Sequence, residues 1–168
     1  FSKLLDLYQE RLYWHIRKLV ATHENADDVL QNTFIRVYRS LPNFKQQSSL
    51  HTWMYKIAYN ESMRHLEKNK KKSFSSIEDV SDKFLGALRE DVFFDGNEVQ
   101  LKLQKVLDEL PENQKKVFQM KYYDNLKFRE ISDILNSKES TIKTHYYGAV
   151  KYIENNITAI GYIEKIKA

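Results

Sequence analysis

Apolar side chains recur along the chain at three- and four-residue steps, the spacing that buries one face of a helix. Leu4, Leu5, Tyr8, Leu12, Ile16 and Leu19 keep this spacing and predict a first helix to about Ala21. Asn25 reads as the N-cap of a second helix, with Asp28 three residues on reaching back toward its N–H. Val29, Leu30, Thr33, Phe34, Val37 and Leu41 carry that helix on until Pro42 stops it. A polar loop follows over Asn43–Ser49, then a third helix from about Thr52 to Lys70 with Trp53, Met54, Ile57, Ala58 and Leu66 facing inward.

Four further segments close the chain. A helix over Val99–Leu110 ends at Pro111, and another spans 112–123 with Val117, Phe118 and Tyr122 inward. A turn at Asp124–Asn125 leads into a short helix, Phe128–Leu135, and a second turn over Asn136–Glu139 leads into a long helix. That last helix starts near Ser140 and runs past Tyr152. Between the two groups of helices, residues 73–97 hold several serines, Gly86 and Gly96, as a linker does. Val80, Phe84 and Leu88 nevertheless recur every four residues there, so the segment reads as a tether able to form a short amphipathic helix.

Charge sharpens this division. Residues 1–72 carry 13 basic and 7 acidic side chains, residues 73–100 carry 2 and 7, and residues 101–168 carry 12 and 9. Two cationic modules joined by an anionic connector is the arrangement this predicts. The fold class expected is all-α: two small helical domains over 1–72 and 98–168, joined by an acidic linker over 73–97. With 4 Gly and 2 Pro, a turn-rich sandwich or a glycine-loop nucleotide fold has little support. The absence of cysteine removes disulfides, thiolate zinc sites and cysteine nucleophiles, and is compatible with a reducing cytoplasm. No apolar run approaches the roughly 18 residues of a membrane span, so no membrane insertion is expected. The chain opens on Phe1 without a Met, so a few native residues are expected to precede it.

Catalytic chemistry finds no foothold. The five histidines show no metal-ligand spacing, no phosphate-cradling glycine loop or nucleophile elbow is present, and Asp27–Asp28 fits the first turn of a helix better than a metal pair. No catalytic residue, no metal and no cofactor are expected.

Nucleic-acid binding fits better. The helices at 127–136 and 139–153 have helix-turn-helix proportions, with Thr141, Lys143, Thr144 and Tyr147 on the exposed face of the second and Ile142, Tyr146, Ala149 and Ile153 inward. Hydroxyl and ammonium groups there suit base-edge and phosphate contacts, although a plain helical hairpin has the same outline. On the third helix, Lys56, Asn60, Arg64, Lys68 and Lys71 fall along one side, a stripe that would neutralise phosphates or simply solvate the negative end of a helix. Tyr55, Tyr59 and Trp53 interleave with it. Aromatics beside cations stack on extruded bases, though Trp53 also suits the core.

In this order the pieces resemble a known family. The stretch Ala26-Asp-Asp-Val-Leu-Gln-Asn-Thr-Phe-Ile-Arg-Val-Tyr38, the loop to Leu50, and Thr52-Trp-Met-Tyr-Lys-Ile-Ala-Tyr-Asn60 resemble region 2 of extracytoplasmic-function sigma factors of the sigma-70 family. Leu107-Asp-Glu-Leu-Pro-Glu-Asn-Gln-Lys-Lys-Val-Phe118, Tyr122-Tyr-Asp-Asn-Leu126, Glu130-Ile-Ser-Asp-Ile-Leu135 and Ser140-Thr-Ile-Lys-Thr144 resemble region 4. The resemblance spans about 8–157. It implies one helical domain per region, without region 1.1 or region 3, and a promoter-specificity subunit that joins core RNA polymerase in the cytoplasm and starts transcription.

By position, the resemblance assigns Asp28, Gln31, Asn32, Phe34 and Arg36 to the clamp helices of the polymerase β′ subunit. It assigns Asn43, Lys45, Ser48, Tyr55, Lys56, Asn60 and Arg64 to the −10 element. Arg129, Thr141, Lys143, Thr144 and Tyr147 fall to the −35 element, with the apolar helices of region 4 on the β flap. Promoter DNA and core polymerase are thus the partners implied, with an anti-sigma factor or an additional recruiting protein besides. The chain departs from the family pattern at the turn, where Lys138, Glu139, Ser140, Thr141 and Ile142 stand for the usual Ser-Glu-Gly-Thr-Val. It departs again at His145, Gly148 and Val150, and at Tyr59, which fill positions often held by Arg. Between Ser140 and Asn155 the fixed cations are Lys143 and Lys151, so a shallow salt dependence at the −35 element is expected. Two other classes carry part of the pattern: a helix-turn-helix activator that binds duplex DNA without polymerase, for which the −10 loop has no purpose, and a protein-binding helical bundle.

Overall fold

Three helices built on the first apolar stripes form one unit of the computed structural model, which describes residues 1–70 and 98–157. Backbone packing divides the chain into two compact units, Phe1–Phe84 and Leu85–Ala168, and the division falls inside the acidic segment. The amphipathic helix expected around Val80, Phe84 and Leu88 lies outside the described residues, as does Lys71.

In the first unit, α1 (Ser2–Arg17), α2 (His23–Ser40) and α3 (Leu50–Lys70) each pack against the other two. Leu12, Ile16, Val29, Val37, Met54 and Ala58 are wholly or almost wholly buried between them. Each such aliphatic side chain contributes roughly 1.5–3 kcal/mol of transfer free energy. Helix α1 stops four residues short of the expected Ala21. The Arg17 side chain is buried and donates to the Val20 carbonyl at 3.2 Å, which folds Lys18–Val20 back over the helix end and seats Val20 in the core.

The expected cap at Asn25 gives way to Thr22. Thr22 is extended (φ −131°, ψ 156°) and its Oγ1 accepts the Asn25 N–H at 3.1 Å. Asn25 therefore uses its backbone as the capped donor, and the exposed Asp28 lies past the first turn. Tyr13 Oη and His23 Nδ1 share a hydrogen bond of 2.5 Å that ties α1 to the start of α2, with Asp27 3.3 Å from the other ring nitrogen. Helix α3 starts at Leu50, two residues before the expected Thr52, and Ser49 caps it: its Oγ accepts the Thr52 N–H at 3.1 Å. Along α3 the inward row is Thr52, Met54, Tyr55, Ala58 and Ser62, whereas Trp53, Ile57 and Leu66 sit half-buried on its flanks.

The second unit comprises α4 (Glu98–Asp108), α5 (Glu112–Tyr122), α6 (Phe128–Leu135) and α7 (Glu139–Asn156). Helix α7 packs against the other three through Ile142, Tyr146, Ala149, Val150 and Ile153, all buried. The expected inward set on α5 holds for Val117 and Phe118, while Tyr122 is half-buried and Gln119 and Met120 are buried instead. Two polar clamps fix the helix ends. Lys115 Nζ donates to Asp108 Oδ1 at 2.7 Å between α5 and α4, and Tyr152 Oη donates to Glu109 Oε2 at 2.6 Å from α7.

The turns before and after α6 are made by Asn125 (φ 54°) and Asn136 (φ 52°); asparagine is the side-chain residue that best tolerates the left-handed region. Glu130 Oε1 accepts the Lys127 N–H at 2.9 Å and starts α6, and Ser132 Oγ donates across the turn to the Ser137 carbonyl. A Cβ at Gly148 would stand 3.1 Å from Gln114 Nε2, so the missing side chain on α7 admits the Gln114 amide from α5.

Candidate nucleic-acid interfaces

The loop between α2 and α3 begins with a 3₁₀ turn, Leu41–Asn43, closed by the Phe44 N–H on the Leu41 carbonyl. Pro42 thus shapes the loop as well as ending the helix. Phe44 then lays its ring on Trp53, centroids 4.8 Å apart, and Gln46 takes a positive φ of 55°. A glutamine there is strained relative to an asparagine or glycine, and the strain sits at the loop tip. Asn43 and Lys45 are exposed and Ser48 is half-buried.

The outer row of α3 runs away from this loop. Lys56, Asn60, Arg64 and Lys68 are all exposed and Tyr59 is half-buried, so the stripe read from the sequence exists as a surface. Tyr55 does not belong to it. It is 1 % exposed, with its ring centroid 4.8 Å from that of His15 and 4.6 Å from that of His51. The aromatic available at the loop is the Phe44–Trp53 pair. Neighbouring positions on a helix are about 100° apart, and the packing of α1 puts Tyr55 under the helix and Trp53 at its side. Phe44 was missed in the sequence because a single aromatic in a polar loop has no periodicity to mark it.

On α2, Asp28, Gln31, Asn32 and Arg36 are exposed, while Phe34 is buried at the edge of an open groove shared with Phe1, Leu5, Ile35 and Tyr38. The Phe1 ring stands edge-on to both Phe34 and Tyr38. Ile35 and Tyr38 are 48 % and 63 % exposed, so apolar surface adjoins the polar row, with Gln31 alone of that row lining the groove. Arg36 Nε and Arg64 Nη1 both contact Glu61 Oε1, which links this face to the α3 stripe.

In the second unit the five residues read from the sequence are all solvent-facing. Arg129 on α6 and Thr141, Lys143, Thr144 and Tyr147 on α7 are exposed, Tyr147 by 60 %. Thr144 Oγ1 donates to the Ser140 carbonyl at 3.0 Å, and Lys143 Nζ lies 3.8 Å from Glu139 Oε1. Phe128 was not foreseen: its ring lies under Lys121 Nζ (4.7 Å) and Lys143 Nζ (6.0 Å) and touches Tyr146 and Tyr147. Burial, then the neighbouring Tyr147 and Tyr122, push the Tyr146 phenol above its ordinary pKa, so it stands as a neutral donor among aromatics. A short helix that holds a longer one with its first turns exposed has the shape that enters a major groove. Among the described residues, no group of three His, Asp or Glu side chains is placed to hold a metal ion.

Comparison with known proteins places both units. Residues 4–72 match the family model for Sigma-70 region 2, and residues 100–153 match that for Sigma-70, region 4. The chain is 28 % identical over 159 residues to the ECF RNA polymerase sigma factor SigW of Bacillus subtilis, covering 88 % of this chain and 83 % of that one. It is 26 % identical over 165 residues to the ECF RNA polymerase sigma-E factor of Haemophilus influenzae, covering 94 % and 87 %. Its fold is similar to that of the sigma factor RpoE, solved in complex with the anti-sigma factor NepR from Bartonella quintana. That likeness has a TM-score of 0.71 at 19 % identity and covers 92 % of this chain and 94 % of that one.

Proposed function

The chain belongs to the sigma-70 family, as an extracytoplasmic-function sigma factor, and on that premise we propose how its surfaces divide the work of starting transcription. Residues 1–72 form the domain that joins core polymerase and handles the −10 element, residues 73–97 tether it, and residues 98–168 form the domain that reads the −35 element. The polar row Asp28, Gln31, Asn32 and Arg36 of α2, with Phe34, meets the β′ clamp helices. Asn43, Lys45 and Ser48 line the loop for an unpaired −10 base, with the Phe44–Trp53 pair as its stacking surface in place of Tyr55. Lys56, Asn60 and Arg64 follow the phosphates of the opened strand.

The observation that carries this reading is that one chain exposes both a polar loop backed by a cationic helix face and a helix-turn-helix. A promoter must be melted at one element and stay duplex at the other. Unstacked bases call for aromatic and polar groups around a loop backed by cations, which the α2–α3 loop and α3 offer. Duplex calls for a helix that enters a groove, which α7 offers with Thr141, Lys143, Thr144 and Tyr147, flanked by Arg129. The chemistry of RNA synthesis stays with the polymerase, so the chain needs no catalytic residue of its own and works in the cytoplasm. The activator reading leaves the α2–α3 loop without a role. An anti-sigma factor fits as a further partner, since the solved relative is held by one. The test is co-purification: the tagged full chain is expected to retain core polymerase, and substitution of Asn32 and Arg36 by Asp is expected to lose it. A chain that never retains polymerase overturns the reading.

A further inference from the structure

Gly148 interrupts the outward face of α7. Thr141, Thr144 and Gly148 follow one another at three- and four-residue steps, so they form one row along the helix. The first two carry exposed hydroxyl side chains, and the third carries none. A neighbouring helix fills the gap. The Gln114 carboxamide reaches over from α5, and a Cβ at Gly148 would stand 3.1 Å from its Nε2, 3.4 Å from its Cδ and 3.7 Å from its Oε1. Gln114 is half-buried, and among the described residues its amide has no hydrogen-bond partner. The adjoining cations of α5 are engaged elsewhere: Lys115 Nζ lies 2.7 Å from Asp108 Oδ1, and Lys116 Nζ lies 4.0 Å from Glu112 Oε1. The amide is thus an uncommitted donor at the place where the row on α7 would have its next side chain.

We propose that Gln114 is a further DNA-contacting residue of the second unit, donating from its Nε2 to a backbone phosphate beside the −35 element. The inference rests on the reading of α7 as the helix that enters the −35 groove, and extends that surface to α5. Gly148 stands two turns past Thr141, about 10 Å along the helix axis, whereas the major groove is about 8.5 Å deep. With the N-terminal turns of α7 at base edges, Gly148 is level with the groove rim, where the phosphates lie. A carboxamide offers a phosphate two N–H donors and no charge. The contact therefore adds affinity and orientation without base preference, and it neutralises no phosphate, so it releases no counter-ion. Glycine at 148 leaves the room that the amide needs.

The test measures binding of holoenzyme, assembled from core polymerase and the full chain, to promoter duplex across a salt series. Gln114→Ala is expected to weaken binding about three- to tenfold, the range of one hydrogen bond exchanged for water, with the salt slope unchanged. The loss is expected to be the same when single base pairs of the −35 element are altered. Gln114→Lys keeps the reach and adds a charge, so it is expected to steepen the slope by about 0.9. Gly148→Leu, which fills the amide's place, is expected to weaken binding by the native chain but to add little to Gln114→Ala. A contact that only packs α5 on α7 would not move the slope. Unchanged binding by folded Gln114→Ala, a loss confined to one base pair, or a Gln114→Lys slope equal to native overturns the proposal. Should Gln114→Ala fail to fold, the Gln114→Lys slope decides alone. Native holoenzyme that binds equally well with the −35 element scrambled overturns the −35 reading and this inference together, whereas −35 dependence that no Gln114 variant alters overturns this inference alone.

Discussion

Lys143→Ala isolates the electrostatic share of −35 recognition. The substitution removes one exposed ammonium from α7, its pairing with Glu139 at 3.8 Å and a distant contact with the Phe128 ring at 6.0 Å. An exposed pair four residues apart contributes only about 0.3–0.5 kcal/mol, and Ala is the better helix former. The melting temperature is therefore expected to change little. DNA binding is expected to change in a specific way. Each phosphate contact adds roughly 0.9 to the slope of log affinity against log salt, so the slope of holoenzyme binding to a promoter should fall by about that amount. Between 50 and 200 mM salt this corresponds to a change of about 3.5-fold in relative affinity. The assay is a salt titration of promoter binding by native and variant holoenzyme. A variant with lower affinity but an unchanged slope would place Lys143 at a base edge, and a variant with unchanged affinity and slope would remove it from the interface. Either result refutes the phosphate assignment.

Three further outcomes follow from the packing. Gly148→Ala is expected to raise stability by up to about 1 kcal/mol in urea melts, because the added Cβ meets only the tip of the flexible Gln114 side chain at 3.1 Å. Thr22→Ala is expected to cost about 1 kcal/mol in the same assay, since it leaves the Asn25 N–H without its cap, while Asn25→Ala leaves that cap in place. Tyr152 is held above its ordinary pKa by its hydrogen bond to Glu109, with smaller contributions from burial and the Glu109 charge. A raised phenol favours the folded state below the unfolded pKa of about 10 and loses that contribution as pH climbs through the folded value, so native protein should melt earlier as pH rises past 10. Tyr152→Phe should flatten that part of the profile.

What the sequence made legible was local. The helix-turn-helix could be read because Ile131, Ile134, Ile142, Tyr146 and Ala149 repeat at helical steps and Asn136 stands where a left-handed residue is required. The cap of α2 was harder. Thr22 and Asn25 are both capping types three residues apart, and local sequence does not choose between them; His23, tied to Tyr13 of α1, already lies inside the helix. Tyr55 and Trp53 posed a similar problem: two positions apart, they face nearly opposite sides of the helix, and only tertiary packing decides which side is covered. The contact of Arg36 with Glu61 joins positions 25 residues apart on different helices, and no periodicity reports it. The buried Arg17 was likewise hidden, because its partner is a backbone carbonyl in the turn it helps to create.

The account stands or falls on promoter opening by the assembled enzyme. Core polymerase with the full chain should be given a promoter carrying −10 and −35 elements, run-off transcripts measured and unpaired thymines mapped with permanganate. The account predicts a single start that depends on the chain, with reactive thymines confined to the −10 element and lost when Asn43 and Lys45 are replaced by alanine. Transcription no greater than that of core polymerase alone, or chain-dependent transcription with opening indifferent to the α2–α3 loop, would contradict it.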